Sequence, residues 1–148
     1  MTKRTIIIGS DHAGFALKET VKAHLLAAGH TVTDLGPETA TSCDYPVFAH
    51  KVCERVLKES ALGILVCGTG IGMSMAANRV AGIRAALCTN EYLARMTRLH
   101  NNANVLCLGE RVVGPGLAAS IADVFMATDF EGGRHQRRID LFDAANQP

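Results

Sequence analysis

The chain has almost no net charge, no long apolar run and no closely spaced cysteine pair, and each absence excludes a class of protein. Its 15 Lys and Arg against 14 Asp and Glu leave +1, so no global field draws it to nucleic acid or to an anionic membrane, and any anion must be held locally. No apolar run approaches the roughly 20 residues of a membrane helix. The basic start, Met1 to Arg4, is followed only by Thr5-Ile6-Ile7-Ile8 before Asp11 and His12, too short for a signal-peptide core. Cysteines at 43, 53, 67, 88 and 107 form an odd set without a Cys-x-x-Cys pair, which argues against a disulfide framework or a zinc site and fits a reducing cytoplasm. Repeats, low-complexity tracts and linkers are also missing. What remains is 148 residues, 48% hydrophobic and 20% charged, enough for one domain that buries roughly 70% of its unfolded surface.

Five short apolar segments begin near Thr5, Thr31, Gly63, Arg84 and Val105, each followed by a helical pattern. That rhythm predicts one α/β domain over residues 1–148, a doubly wound, Rossmann-like five-stranded parallel sheet flanked by helices. Four segments are continuously apolar, as strands covered on both faces should be, whereas Thr31-Val32-Thr33-Asp34-Leu35 alternates and belongs at an edge. Leu17, Val21 and Leu25 mark the inner face of a helix that stops at Gly29, which leaves Lys18 and Lys22 facing solvent. Asp44 before Pro46 reads as an N-cap, with Phe48, Val52 and Val56 on one face; Pro115 starts a helix with Leu117, Ile121 and Val124 inward. A last helix, from about Arg134 to Ala145, is polar enough to need a partner surface.

In such sheets ligands bind beyond the carboxyl ends of the strands, where helix N-termini present free N–H groups. Two loops there carry chemistry. Gly9-Ser10-Asp11-His12-Ala13-Gly14 places a carboxylate and an imidazole at the crevice, and Cys67-Gly68-Thr69-Gly70-Ile71-Gly72 lets backbone wrap closely round a small anionic group. Met73 stands where a dinucleotide loop needs glycine, where a P-loop needs its Gly-Lys and where a Cys-x5-Arg phosphatase loop needs arginine. Oxyanion binding remains, without nucleotide or phosphatase chemistry. Cys67 reads either as a small buried hydrophobe or as a base whose thiolate is stabilised by amides at a helix N-terminus. Cys43, Cys53, Cys88 and Cys107 lack that setting; His24 reads as a helix-surface residue, and His30 and His50 flank elements without chemical neighbours. His100 ahead of Asn101-Asn102 is open to a cap or a catalytic role, and Arg111, Arg134 and Arg138 to a solvated face or, with His12, a phosphate clamp.

Taken in order, these segments, with Asp44-Tyr45-Pro46, Ala76-Ala77-Asn78, Gly82-Ile83-Arg84, Asn104-Val105, Gly109 to Gly114 and Glu131-Gly132-Gly133-Arg134-His135, make the chain resemble the sugar-phosphate isomerases of the type B ribose-5-phosphate isomerase family, which includes galactose-6-phosphate isomerase. The resemblance covers nearly the whole length. It implies a cofactor-free and metal-free aldose–ketose isomerase of the pentose phosphate pathway that acts on a sugar phosphate. Cys67 would take the C2 proton, His100 promote ring opening, and Asp11 and Asn101 meet sugar hydroxyls. Thr69 and the amides from Gly68 through Gly70 and Ile71 to Gly72 would stabilise the enediolate, while His12, Arg111, Arg134 and Arg138 hold the phosphate. Some relatives carry serine in place of the cysteine and a glutamate where Met73 stands; retention of Cys67 implies the cysteine mechanism. The His100-Asn101 pair and the Gly-Gly-Arg-His run favour a ribose substrate, with a six-carbon aldose phosphate (allose or galactose 6-phosphate) as the alternative. A non-catalytic phosphosugar-binding module and a thiol-redox protein are the rivals from other classes.

One expectation is geometric. Cys67 ends the third strand and His100 precedes the fifth, so they lie at opposite edges of the sheet, about 17 Å apart across a strand of ordinary length. His100 and Asn101 are therefore expected to complete a neighbouring subunit's pocket in an isologous dimer, with pairing of dimers into tetramers left open.

Overall fold

The computed structural model of the protein describes residues 2–145. Strands β1 (Thr5–Ser10), β2 (Thr31–Asp34), β3 (Leu62–Cys67), β4 (Ala85–Leu87) and β5 (Val105–Gly109) alternate with helices α1 (Phe15–Ala27), α2 (Tyr45–Glu59), α3 (Ile71–Ala77), α4 (Glu91–Asn101) and α5 (Pro115–Ala127), and α6 (Arg134–Ala144) follows. The sheet is wholly parallel in the order β2-β1-β3-β5-β4. Its central strands alternate between two cores, as a pleat requires. Ile6, Ile8, Ile64, Val66, Leu106 and Leu108 pack against α1, α4 and α5, and Ile7, Leu65, Cys67 and Cys107 against α2 and α3. No described helix is long and apolar enough to cross a membrane.

Local signals act where expected at several points. Gly29, at φ +88°, ends α1 in a conformation that strains any side chain. Asp44 holds the N-cap of α2 with proline in the first turn, although its side chain makes no capping bond. The alternating strand β2 does lie at an edge. β4 lies at the other edge, only three residues long and half-buried throughout. Its apolar residues had suggested a strand covered on both faces; they are small or at a rim, and hydrophobicity alone does not distinguish the two positions. Leu117 is also turned outward, and Ala118 takes the inward position ahead of Ile121, because α5 is apolar on nearly every side.

Lys18 and Lys22 do not face solvent. Lys18 is fully buried; its Nζ donates to both Asp34 oxygens at 3.0 and 2.9 Å and to the Pro37 carbonyl at 2.8 Å. Lys22 donates to Asp34 at 2.7 Å and to Glu19 at 2.9 Å. Edge strand β2 ends in a carboxylate under α1, and two lysine stems lie along the strand to reach it. Burial resists ionisation of Asp34, but the bonds from Lys18, Lys22 and the Gly36 amide outweigh it and hold the carboxyl below its usual range. A carboxyl lowered on folding adds stability above its unfolded pKa of about 4, and that stability is lost as pH falls through the folded value. Asp34→Asn should therefore cost about 2 kcal/mol in urea melts at pH 7, since it leaves the buried Lys18 ammonium without its carboxylate. The difference from wild type should shrink as the pH is lowered below 4; a cost independent of pH would contradict the pairing.

Candidate functional site

β1 and β3 run side by side with Ser10 opposite Val66, and β3 and β5 with Cys67 opposite Gly109, so three loops leave the sheet at one edge. They enclose a cavity of about 280 Å³ lined by Asp11, His12, Tyr45, Cys67, Gly68, Thr69, Gly72 and Arg111. The Gly70 N–H donates to Cys67 Sγ at 3.1 Å, and the Ile71 N–H to Thr69 Oγ1 at 3.3 Å. Gly70 adopts φ +80°, which turns its amide inward and starts α3. Asp11 is buried; its Oδ1 accepts the Gly14 N–H at 3.0 Å and caps the 3₁₀ turn His12–Gly14. The ring of His12 accepts the Cys43 N–H at Nδ1 over 3.3 Å, so a proton on the neutral ring sits on Nε2.

Tyr45, which the sequence reading had not assigned to the site, forms one wall. A Cβ on Gly72 would fall 2.9 Å from its ring, so the third glycine of the loop makes room for an aromatic side chain as well as for a ligand. The signal was present in Asp44-Tyr45-Pro46, where a tyrosine at the first position of a helix stays half-exposed at the carboxyl edge. Arg111 packs along Gly68, whose Cβ would meet the guanidinium at 3.0 Å. Glu110 lies behind Arg111 and accepts the Leu17 N–H at 2.6 Å, tying the arginine loop to the first turn of α1.

His100, Asn101, Arg134 and Arg138 are not in this cavity. His100 and Asn101 end α4, before the amino end of β5, where Val105 pairs with Gly63. There His100 stacks on His135 at 4.2 Å, and Glu131 approaches both rings. Arg134 and Arg138 sit exposed on α6 beside them. Burial, the Arg134 charge and His100 push His135 below the usual imidazole range, with Glu131 opposing. Glu131 and His135 lie far from His100 in sequence, and the Glu131 N–H on the Leu99 carbonyl at 3.1 Å and Arg98 Nε on the Thr128 carbonyl at 3.0 Å bring their segment to α4.

Among the other thiols, burial pushes Cys53 and Cys88 up to about 12, and Cys107 rises well above its usual value. Cys67 alone lines the cavity, and Cys43 is part-exposed. Iodoacetamide on the native protein should label Cys67 and Cys43 and spare the other three, as peptide mass spectrometry reads; labelling of Cys53 or Cys107 at the rate of Cys67 would contradict this.

The model of the Ribose/Galactose Isomerase family matches residues 6–142. Ribose-5-phosphate isomerase B of Escherichia coli is 46% identical over 145 residues, with 97% of each chain covered. A crystal structure of a ribose 5-phosphate isomerase from Thermotoga maritima superimposes with TM-score 0.94 at 52% identity, covering 97% of this chain and 99% of the other. That of ribose-5-phosphate isomerase B from Mycoplasma genitalium, with bound ribulose 5-phosphate, gives TM-score 0.91 at 48% identity and 95% coverage of both. With the family model matched over residues 6–142 and the fold and nearly the full length shared with these relatives, the chain belongs to the ribose/galactose isomerase family.

Proposed function

We propose that the chain interconverts ribose 5-phosphate and ribulose 5-phosphate through a cis-enediolate, needing neither metal nor organic cofactor. The observation that carries the reading is Cys67 Sγ at the wall of a small cavity, facing the Gly70 N–H at 3.1 Å and sharing the cavity with His12 and Arg111. The thiolate takes the C2 proton, the C–H electron pair becomes the C1–C2 double bond, and the carbonyl oxygen at C1 receives the charge. The O2 hydroxyl proton passes to O1, and the thiol returns its proton to C1, leaving the ketose. A positioned base contributes about 10²–10⁴ in rate, and donors aimed at the enediolate contribute as much or more. Those donors are Thr69 and the amides from Gly68 to Gly72. His12 and Arg111 take the phosphate, and Asp11 meets sugar hydroxyls through the oxygen that does not cap the turn.

Ring opening needs a further acid or base, and in this reading His100 supplies it to a neighbouring subunit. The β3–β5 register separates Cys67 from the amino end of β5 by four residue steps, about 13 Å. Around Asn101 the surface is apolar: Leu93, Met96, Cys88 and Phe142 line a cavity of about 490 Å³ beside β4, and Leu141 and Tyr92 are exposed. An isologous dimer through α4, β4 and α6 would cover that surface and carry His100, Asn101, Arg134 and Arg138 to the partner's cavity. Free thiols throughout the described chain fit a cytoplasmic enzyme of pentose phosphate interconversion.

A coupled assay over ribose 5-phosphate, allose 6-phosphate and galactose 6-phosphate, with chelator present, should give highest kcat/KM for ribose 5-phosphate. Cys67→Ala should lower kcat by about 10²–10⁴ while ribose 5-phosphate affinity stays within a few-fold. Turnover unchanged in that variant would favour a sensor or another base. Mixing Cys67→Ala with His100→Asn chains should restore about a quarter of wild-type activity, because half the chains form hybrids with one intact site; no restoration would contradict shared sites.

A further inference from the structure

Among the described residues two buried ring nitrogens, His30 Nε2 and His135 Nε2, have no hydrogen-bond partner, and only His135 lies beside other metal-ligating side chains. His135 is more than nine-tenths buried, and its Nε2 has no hydrogen-bond partner among the described residues, a state folded proteins ordinarily avoid. That nitrogen lies 3.8 Å from Glu131 Oε1, too far for a hydrogen bond, and His100 Nε2 lies 3.9 Å from Glu131 Oε2. All three residues offer ligand atoms within 4.8 Å of one another. The atoms are too far apart to satisfy each other and close enough to share a small central guest.

We propose that His100, Glu131 and His135 form a binding site for a borderline divalent cation, zinc foremost, which reversibly inhibits the chain. Two imidazoles and one carboxylate with an open fourth position are a ligand set that zinc accepts at about 2.0–2.2 Å. Tetrahedral bonds of that length put neighbouring ligand atoms about 3.4 Å apart, so the Glu131 contacts close by about 0.5 Å. The two rings must also leave their stack, because each lone pair lies in its ring plane. His135 is held in the protein, whereas His100, 38% exposed, has room to turn about its broad second torsion. Arg134, at 3.6 Å from Glu131 Oε1, competes for the carboxylate, but it is 65% exposed, where such a pair is weak.

Metal binding itself is independent of the proposed reaction, while inhibition rests on the reading that His100 acts on substrate. An occupied His100 could neither give nor take a proton in ring opening, and Glu131 and His135 would be locked with it.

Calorimetry with zinc chloride alone, on metal-stripped full-length protein, should find one Zn²⁺ per chain at this site. Affinity should persist in Cys67→Ala and fall at least tenfold in both Glu131→Gln and His135→Asn, the exposed Glu131 variant guarding against a folding defect at the buried histidine. Binding unchanged in Glu131→Gln, or abolished in Cys67→Ala, would overturn the site. In parallel, zinc should suppress ribose 5-phosphate turnover in wild type and a chelator restore it. Zinc that binds with the stated dependence and leaves turnover untouched would overturn the inhibitory role and, with it, the role of His100, while the metal site stands.

Discussion

Everything at the carboxyl edge of the sheet depends on backbone touching backbone with no side chain between. A Cβ on Gly14 would lie 2.4 Å from the Val66 carbonyl oxygen, and one on Gly109 2.5 Å from Thr69. Gly70 would collide with Leu108 and Leu87 as well as being strained by its positive φ. Three loops are thereby drawn onto one another, and the sulfur of Cys67 meets an amide instead of an apolar wall. Cys107, on the neighbouring strand, lies within the sheet and is fully buried, and burial pushes its thiol well above the usual value. The contrast locates the chemical difference between the two cysteines in two residues of strand length and the glycines that follow.

The amino edge is built on a different principle. His100 ends α4, Asn102 terminates the helix at φ +45°, and Arg98 bonds the carbonyls of Thr128 and Ala103. Guanidinium groups there neutralise helix C-termini, whereas the carboxyl edge presents backbone amides of the glycine loop. A catalyst that needs groups from both edges must fold the substrate into an interface. In the proposed assembly α6 serves that end: it buries His135 and Ile139 inward and turns Arg134 and Arg138 outward.

The periodic features of this fold were legible in the sequence. Continuous apolar runs gave the central strands, the alternation in β2 gave its edge position, and Gly29 and Pro115 gave helix limits. The misjudged residues are those whose partners are remote: Lys18 looked solvated from the α1 pattern because Asp34 lies on a different element, and Leu117 looked internal because α5 has no polar face to orient it. The glycine loop, Asp11, His12 and Arg111 converge on one cavity, since strand order alone brings them there. Tyr45 was missed because its wall exists only by virtue of Gly72, and the Glu131–His135 pair because backbone carbonyls and amides, which carry no sequence signal, dock it on α4.

The central claim, that the Cys67 sulfur moves hydrogen on and off carbon, is tested most directly by the hydrogen itself. Ribose 5-phosphate labelled with deuterium at C2 can be followed by NMR through the reaction in ordinary water. The account predicts a primary isotope effect on turnover and, in wild type, label carried from C2 to C1 less the fraction the thiol exchanges with water, with neither transfer nor product formation in the Cys67→Ala protein saturated with sugar. Label leaving C2 at the wild-type rate without the thiol would contradict it.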